Sequence, residues 1–191
     1  MSFANIKKSE CEKVALACNT NAIKKLEASK LLGENKLYGD AINASILSME
    51  ENSKAMFLFL DSAGFEFRSK VKGLKGVFTN HRLRYPFILM VSIFGLFIEE
   101  LDKMLSNPDY YTKYLKKLIA SNKSNEHVYK FLLSKLKEVK NEIDWFSDAS
   151  FIRQQGVYVD VKDNEILTPG DIPIEEYQEI YKRAQRYNVI I

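Results

Sequence analysis

The stretch LYGDAINASILSMEENSKAMFLFL, residues 37–60, decides the fold. Its apolar side chains recur every three or four residues, the period of one face of an α-helix. The stripe closes near Gly64, a residue type that commonly follows the last helical turn. Its members are Tyr38, Ile42, Ile46, Met49, Ser53, Met56, Phe57 and Leu60. We therefore predict a long amphipathic helix at the centre of a helical protein.

The sequence before this stretch predicts a first helix over residues 9–32, with Gly33 suited to cap its C-terminus. Ala15, Ala22, Ile23 and Leu26 repeat along it at helical spacing. Because its alanines and Cys18 are small, we expect the first helix to lie close against the central one.

The sequence after this stretch predicts more helices. One begins at Pro86 and runs to about Leu105, and Pro86 disfavours a helical Tyr85. Another begins at Asn107, and a third opens at Ser124. The apolar stripe of the third consists of Val128, Leu132, Leu136, Val139, Ile143 and Phe146. Residues 66–84 are harder to assign, since Gly73 and Gly76 weaken any helix there.

The stretch SFIRQQGVYVD, residues 150–160, interrupts this helical pattern. GVYVDV alternates like a strand, and Asp163-Asn164 is a suitable two-residue turn before EILTP. We predict a small hairpin at about 155–168 and a final amphipathic helix at about 173–187. The expected fold is all-α, an antiparallel helical bundle with this small C-terminal hairpin, in a single domain spanning residues 1–191.

Composition places the chain among cytoplasmic globular proteins. It is 46% hydrophobic and 28% charged, and Cys11 and Cys18 are its two cysteines. On one helix they would lie about 10 Å apart, too far for a disulfide. The most apolar run, Tyr85–Ile98, is shorter than the roughly 20 residues that span a bilayer, so we expect no membrane role.

Charge is distributed unevenly along the chain. Residues 66–84 carry six Lys or Arg against one acid, and residues 109–140 carry eight Lys against three acids. Residues 141–191 reverse this, with ten acids against five bases. An RNA-facing surface, a self-complementary dimer or simply a solvated lysine-rich face would each produce this pattern.

Two candidate functional residues lie on the central helix. Glu50 flanks the apolar stripe and Lys54 lies one turn later, so the two can pair, whereas Glu51 is expected in solvent. The simplest interpretation is a surface salt bridge worth a few tenths of a kcal/mol. The functional interpretation is a carboxylate held inside the bundle to orient a base or bind a basic group.

His81 is a candidate acid–base group, flanked by Arg82 and Arg84 in TNHRLR. Imidazole titrates near neutral pH and arginine binds phosphate, so the cluster has the components of a metal-free ribonuclease. Taken alone, the sequence favours the simpler interpretation, a loop histidine that caps a helix or makes only local hydrogen bonds. The sequence has no Walker loop, dinucleotide fingerprint, nucleophile elbow or zinc motif, and we expect no cofactor and no metal.

Several segments resemble the AbiV family of bacterial abortive-infection proteins, which is grouped with the HEPN helical domains. They are LYGDAINASILSMEENSK (37–54), the isolated His81, and RQQGVYVD (153–160), followed by the last proline-initiated helix. The resemblance spans roughly residues 10–187. It implies that the hairpin closes the bundle and brings Arg153 near the central helix.

The resemblance also implies a function in defence against phage by arrest of the infected cell, a phage-encoded partner and a homodimer. Many HEPN proteins are ribonucleases with an arginine four to six residues before a histidine. Here the residue six before His81 is Lys75, and no arginine precedes His127 at that distance. Lysine lacks the two-point grip of arginine on phosphate.

Two main hypotheses follow, and whether the protein is an enzyme stays open between them; a third possibility is a structural helical protein that assembles through its apolar faces. In one, it arrests growth or translation by binding a phage protein or the translation machinery. In the other, it is a metal-independent ribonuclease that cleaves cellular or phage RNA. The predicted catalytic residues are Glu50, Lys54, His81 and Arg153, and the predicted RNA- or partner-binding residues are Arg82, Arg84 and Tyr158.

Overall fold

The structure of the chain is a computed structural model that describes residues 5–70, 85, 88–89, 106–107, 124–162 and 165–188. Helices make up most of these residues, so the predicted all-α class is confirmed. Most of the two helices predicted between residues 86 and 123 lies outside the described residues. Tyr85 is helical although it precedes Pro86, contrary to the prediction. Its ring is buried in the core, and this packing outweighs the local bias.

Two long antiparallel helices form the centre of the fold: α1, Lys8–Glu34, and α2, Tyr38–Ser62. The buried face of α1 consists of small residues three, four or seven positions apart. They are Cys11, Ala15, Cys18, Ala22, Ser29 and Gly33. Small side chains on one face allow two helix backbones to approach closely, as the sequence predicts.

Buried serines join α1 to α2. The Ser29 hydroxyl donates a hydrogen bond to the Ala41 carbonyl at 2.7 Å and lies 2.7 Å from the Ser45 hydroxyl. The Ser48 hydroxyl donates to the Ala22 carbonyl, also at 2.7 Å. Each bond satisfies a hydroxyl that would otherwise be buried without a partner. The close approach of the two helices therefore leaves these hydroxyls hydrogen-bonded and avoids the free-energy penalty of burying them unpaired.

The end of α1 differs from the prediction, because Gly33 is not its cap. The helix continues to Glu34, and Lys36 takes the left-handed conformation with φ of 61°. Gly33 is buried under the Tyr177 ring, where any β-carbon would overlap that ring. At the end of α2, by contrast, Gly64 adopts φ of 98°, a conformation that suits glycine at a helix end.

A buried ion pair closes the far end of α2. Arg68, in the short helix α3 (Phe67–Lys70), pairs with Asp61, and both side chains are at least nine-tenths buried. The same guanidinium donates to the Ile6 carbonyl at 3.1 Å and to Cys11 Sγ at 2.7 Å. Arg68 therefore joins α3 to the start of α1.

Two further helices complete the described core: α4, Ser124–Gln155, and α5, Ile174–Asn188. Both pack on α2, and the Asn52 side chain donates to the Tyr187 carbonyl of α5 at 2.9 Å. Buried side chains of α2, α4 and α5, together with Tyr85 and Ile88, form one apolar cluster. It contains Ala41, Ile42, Ile46, Met49, Tyr85, Ile88, Phe146, Ala149, Tyr177, Ile180, Ala184 and Tyr187.

The buried face of α4 includes Phe146, as predicted, but departs from the prediction at Ile143. Ile143 is 43% exposed, whereas its neighbour Glu142 is 5% exposed. Glu142 faces α5, where it pairs with Arg183 and lies 3.7 Å from Nη1 of Arg186. Two arginines opposite this position therefore favour a carboxylate over an isoleucine inside the α4–α5 contact.

The segment after α4 is held against α2 by two glycines. A β-carbon on Gly39 would lie 2.9 Å from the Gly156 carbonyl oxygen, and one on Gly156 would lie 2.6 Å from that of Gly39. Two three-residue strands follow: β1, Asp160–Lys162, and β2, Glu165–Leu167. They pair antiparallel, with Val161 opposite Ile166, before a 3₁₀ turn leads into α5.

Candidate functional site

The carboxylate of Glu50 lies inside the bundle. Glu50 is 1% exposed, and its Oε1 atom accepts a hydrogen bond from Nη1 of Arg153 at 3.3 Å. Burying a carboxylate costs several kcal/mol unless a cation compensates it, which the Arg153 guanidinium does here. Of the two interpretations that the sequence offers for Glu50, the surface salt bridge is therefore wrong and the internal carboxylate is observed.

Arg153 reaches α2 from the last turn of α4 and contacts two of its residues. Its Nε atom donates to Oδ1 of Asn43 at 3.3 Å, while Nη1 binds Glu50. Asn43 and Glu50 are two helical turns apart and share one face of α2. The guanidinium therefore runs along this face, and 28% of the side chain stays exposed at its edge. The expected approach of Arg153 to the central helix is thus observed.

Tyr85 also binds the Glu50 carboxylate. Its hydroxyl donates to Oε1 of Glu50 at 3.5 Å, and the residue is 6% exposed. Burial raises the pKa of the Tyr85 hydroxyl, and the negative charge of Glu50 adds to this effect. Tyr85 therefore acts as a hydrogen-bond donor that helps to fix the carboxylate.

Asn43 and Tyr85 are contacts that the sequence reasoning missed. The position of Asn43 could have been inferred from helical spacing, because it lies two turns before Glu50 on the same helical face. That of Tyr85 could not, since its place beside α2 follows from tertiary packing.

The segments that meet in this contact, residues 37–54 and 153–160, are the same ones that suggest the family resemblance. A family model described as AbiV, HEPN_AbiV, matches residues 10–188. The chain belongs to the AbiV family. The family acts in abortive infection, so the general role of this chain is defence against phage. No curated protein and no solved structure matches it.

Lys54 of this AbiV-family chain forms an ion pair with Glu51. Lys54 is 9% exposed and Glu51 is half-buried, which corrects the prediction that Glu51 lies in solvent. The pair lies beside Cys18 of α1, where burial and the Glu51 charge raise the pKa of the thiol to about 11. The Lys54–Glu51 pair therefore lies on the side of α2 that faces α1, whereas Glu50 lies on the side that faces α4.

Three predicted site residues of this family member, His81, Arg82 and Arg84, lie outside the described residues. Their convergence with Glu50 and Arg153 stays a prediction. Tyr158, the third residue predicted to bind RNA or a partner, is 65% exposed. Its amide donates to the Gln154 carbonyl at 2.9 Å, and its ring lines a small cleft that also includes Ile172 and Pro173.

The described residues offer neither a metal site nor a membrane-spanning helix. Within the described ranges, no group of three or more His, Cys, Asp or Glu side chains is placed to hold a metal ion. No helix in that part of the chain has the length and apolarity needed to cross a membrane.

The Glu50 carboxylate of this AbiV-family protein is too enclosed to act on a substrate in solution. An acid or base must reach the proton that it transfers, and Glu50 is enclosed by the bundle. Arg153 is partly exposed, but its guanidinium already binds Glu50 and Asn43. The arrangement is therefore suited to hold α4 and the following segment in a fixed position on α2.

Proposed function

We propose that this protein defends against phage by binding a phage-encoded protein or a component of the translation machinery, and that this binding arrests growth of the infected cell. The observation that carries the proposal is the enclosure of the Glu50 carboxylate, which is 1% exposed and paired with Arg153. A carboxylate in this position helps to hold α4 on α2 and is out of reach of a substrate in solution.

The charges of the predicted catalytic set also support binding over RNA cleavage. Ribonuclease chemistry without a metal needs a cation directed at the phosphate. Arg153 is directed at Glu50, and Lys54 pairs with Glu51 at only 9% exposure. The arginine that HEPN ribonucleases place before the histidine is replaced by Lys75. We place the binding event in the cytoplasm, where phage proteins are made.

The test is a tagged copy of the protein isolated from infected and uninfected cells, with the integrity of total RNA measured in the same cultures. We expect one or more proteins to co-purify after infection only, while RNA stays intact at the time growth stops. The His81→Ala variant should protect cells as well as the original chain. Metal-independent RNA cleavage by the purified protein that His81→Ala abolishes would establish the ribonuclease function instead.

We further propose that two copies pair along the outer face of α1. Leu16, Ile23 and Leu31 lie on one side of this helix and are 57%, 45% and 60% exposed. If a second α1 lies antiparallel, Leu16 faces Leu31 of the second copy, and Lys13 faces its Glu34. The face is therefore complementary to itself in both apolar contacts and charge, which a two-fold symmetric dimer requires.

Light scattering on the purified chain tests this dimer. We expect a mass of twice the monomer, and a monomer when Ile23→Glu places a charge at the centre of the face. Phe59→Glu, at a 50% exposed apolar residue of α2, is the matched control and should leave the dimer intact. A monomeric original chain, or an Ile23→Glu dimer, would refute this interface.

A further inference from the structure

The segment that follows α4 exposes an unusual run of apolar side chains. Val157, Tyr158 and Val159 are consecutive and are 42%, 65% and 63% exposed, and Ile166 of β2 is 68% exposed. We call these four residues the island surface. Single exposed apolar residues are common in proteins. Three consecutive ones directly before β1, with Ile166 on the strand that pairs with β1, indicate a binding surface.

The island surface has a rigid base. The amides of Val157 and Tyr158 both donate to the Gln154 carbonyl, at 3.0 and 2.9 Å, which continues the end of α4. The preceding Gly156 is in backbone contact with Gly39 of α2. The patch is therefore fixed to the central helix, and a partner would meet it in a preformed position, which lowers the entropy lost on binding.

A small acidic cleft adjoins the island surface. It has a volume of about 170 Å³, and Tyr158 contributes to both the patch and the cleft. Its charged lining residues are Asp171 and Glu176, and Ile172 and Pro173 line it as well. This volume is below the roughly 300 Å³ at which pockets begin to hold a drug-sized molecule, so the cleft suits one side chain of a partner.

The two carboxylates of the cleft differ in their surroundings. Asp171 Oδ2 accepts hydrogen bonds from the Thr168 amide at 2.9 Å and the Thr168 hydroxyl at 2.8 Å, and these lower the pKa of Asp171. Partial burial raises the pKa of Glu176, and the nearby charge of Glu179 adds to this. A cation placed between them would pair with the negative charge of Asp171, which its hydrogen bonds stabilise. It would also stabilise the negative charge of Glu176, which burial and Glu179 disfavour.

We propose that the island surface and the acidic cleft together dock a basic, apolar segment of a partner protein, with a Lys or Arg side chain in the cleft and its apolar neighbours on Tyr158 and Ile166. The charge of the region supports a basic peptide against a nucleic acid. Residues 141–191 carry ten acids against five bases, which repels phosphate. This inference rests on the proposed protein-binding function and specifies the surface and the chemistry of the partner.

The probe is a fluorescein-labelled 12-residue peptide that alternates Lys or Arg with Leu or Val, with an otherwise identical peptide carrying Glu at the charged positions. Fluorescence anisotropy with the full chain should detect binding of the basic peptide alone. Tyr158→Ser, and separately Asp171→Asn with Glu176→Gln, should weaken it at least about tenfold. Phe59→Ser, at an exposed apolar residue on α2, should leave it unchanged.

Several results would overturn the inference. These are absence of binding by the basic peptide, equal binding of the acidic peptide, and affinity that the cleft variants leave unaltered. Binding of a labelled RNA oligonucleotide that Tyr158→Ser removes would assign the surface to nucleic acid, and dissociation of a dimer by Tyr158→Ser would assign it to a second copy. Tyr158 is 65% exposed, so Tyr158→Ser should keep the original melting temperature.

Capture experiments with the original chain and Tyr158→Ser distinguish failure of this inference from failure of the proposed function. If the original chain and Tyr158→Ser capture the same proteins from infected cells, binding is the function but uses another surface. If the original chain captures none and cleaves RNA, the proposed function fails, whatever the peptide result.

Discussion

Gly39 and Gly156 touch through their backbones, with no side chain between the start of α2 and the end of α4. A β-carbon on Gly156 would lie 2.6 Å from the Gly39 carbonyl oxygen, closer than real contacts of this kind. The partner atom is backbone and cannot rotate away. This contact brings Arg153, three residues before Gly156, alongside α2, where it reaches Glu50.

We predict that Gly156→Ala and Gly39→Ala each destabilise the fold by about 1–3 kcal/mol, because the added methyl group separates α4 from α2. Urea denaturation measures the change. The result at Gly39 is diagnostic, since replacing glycine by alanine inside a helix normally stabilises it by roughly 1 kcal/mol. Gly170→Ala is the control: its β-carbon would lie 3.5 Å from Thr168 Oγ1, an ordinary contact. Unchanged stability in both core variants would contradict the contact.

The period of the sequence was sufficient to predict α2, but only part of its environment. The structure places α2 at Tyr38–Ser62 and buries the centre of the predicted stripe, but it also buries residues on other sides of the helix, such as Ser48 and Asn52. Gly33 was predicted as a cap from local rules alone, whereas the Tyr177 ring from α5 determines its place. Periodicity within one helix carries no information about a ring that arrives from another.

The same limit explains the errors at charged positions. On α4, Phe146 is buried as predicted, but Glu142 is buried where Ile143 was expected, and the arginines of α5 favour this exchange. Likewise, Lys54 can reach either Glu50 or Glu51 from one turn away, and the position of Arg153 decides which carboxylate faces α4. Local sequence thus predicted that charges would pair, while the partners depended on the packed helices.

Glu50 and Arg153 should be energetically coupled. Glu50→Gln keeps the size of the side chain and removes its charge, which leaves the guanidinium without its counter-charge. We expect a loss of about 2 kcal/mol, less than for a fully enclosed pair because 28% of the Arg153 side chain is exposed. Urea denaturation of Glu50→Gln, Arg153→Gln and the double variant should give a coupling energy of about 1 kcal/mol or more.

The exposed Lys70–Glu66 pair is the matched control for that cycle. Its atoms are 3.4 Å apart and the side chains are 66% and 50% exposed, so its coupling should be close to zero. Additive effects of Glu50→Gln and Arg153→Gln would mean that the two groups do not stabilise each other.

The thiols of Cys11 and Cys18 should be unreactive in the folded protein. Both are free and buried, and the pKa of Cys18, about 11, leaves roughly one thiolate in a thousand at pH 8. We expect a thiol reagent such as DTNB to modify them only as fast as the protein unfolds. Ser69→Cys, at an exposed position of α3, provides a fast internal standard. Rapid modification of all thiols in native protein would show that α1 separates readily from α2.

Arg183 should hold α5 on α4 through both charge and ring contact. Its guanidinium carbon lies 5.1 Å from the centre of the Trp145 ring, and it pairs with Glu142 and, at 2.8 Å, with Glu179. Arg183→Lys keeps the charge but loses the planar group that stacks on the indole and binds two carboxylates. We therefore expect a loss of about 1 kcal/mol and a shift in tryptophan emission.

Trp145 is the single tryptophan of the chain, so its fluorescence reports this contact directly. Lys182→Arg, at the exposed neighbouring position, should change neither the emission nor the denaturation midpoint. If Arg183→Lys matched the original chain in both measurements, the apolar cluster around Phe146 and Ile180 would be sufficient to hold α5 in place. A loss confined to Arg183→Lys would instead show that the Glu142 charge inside this contact depends on a planar cation.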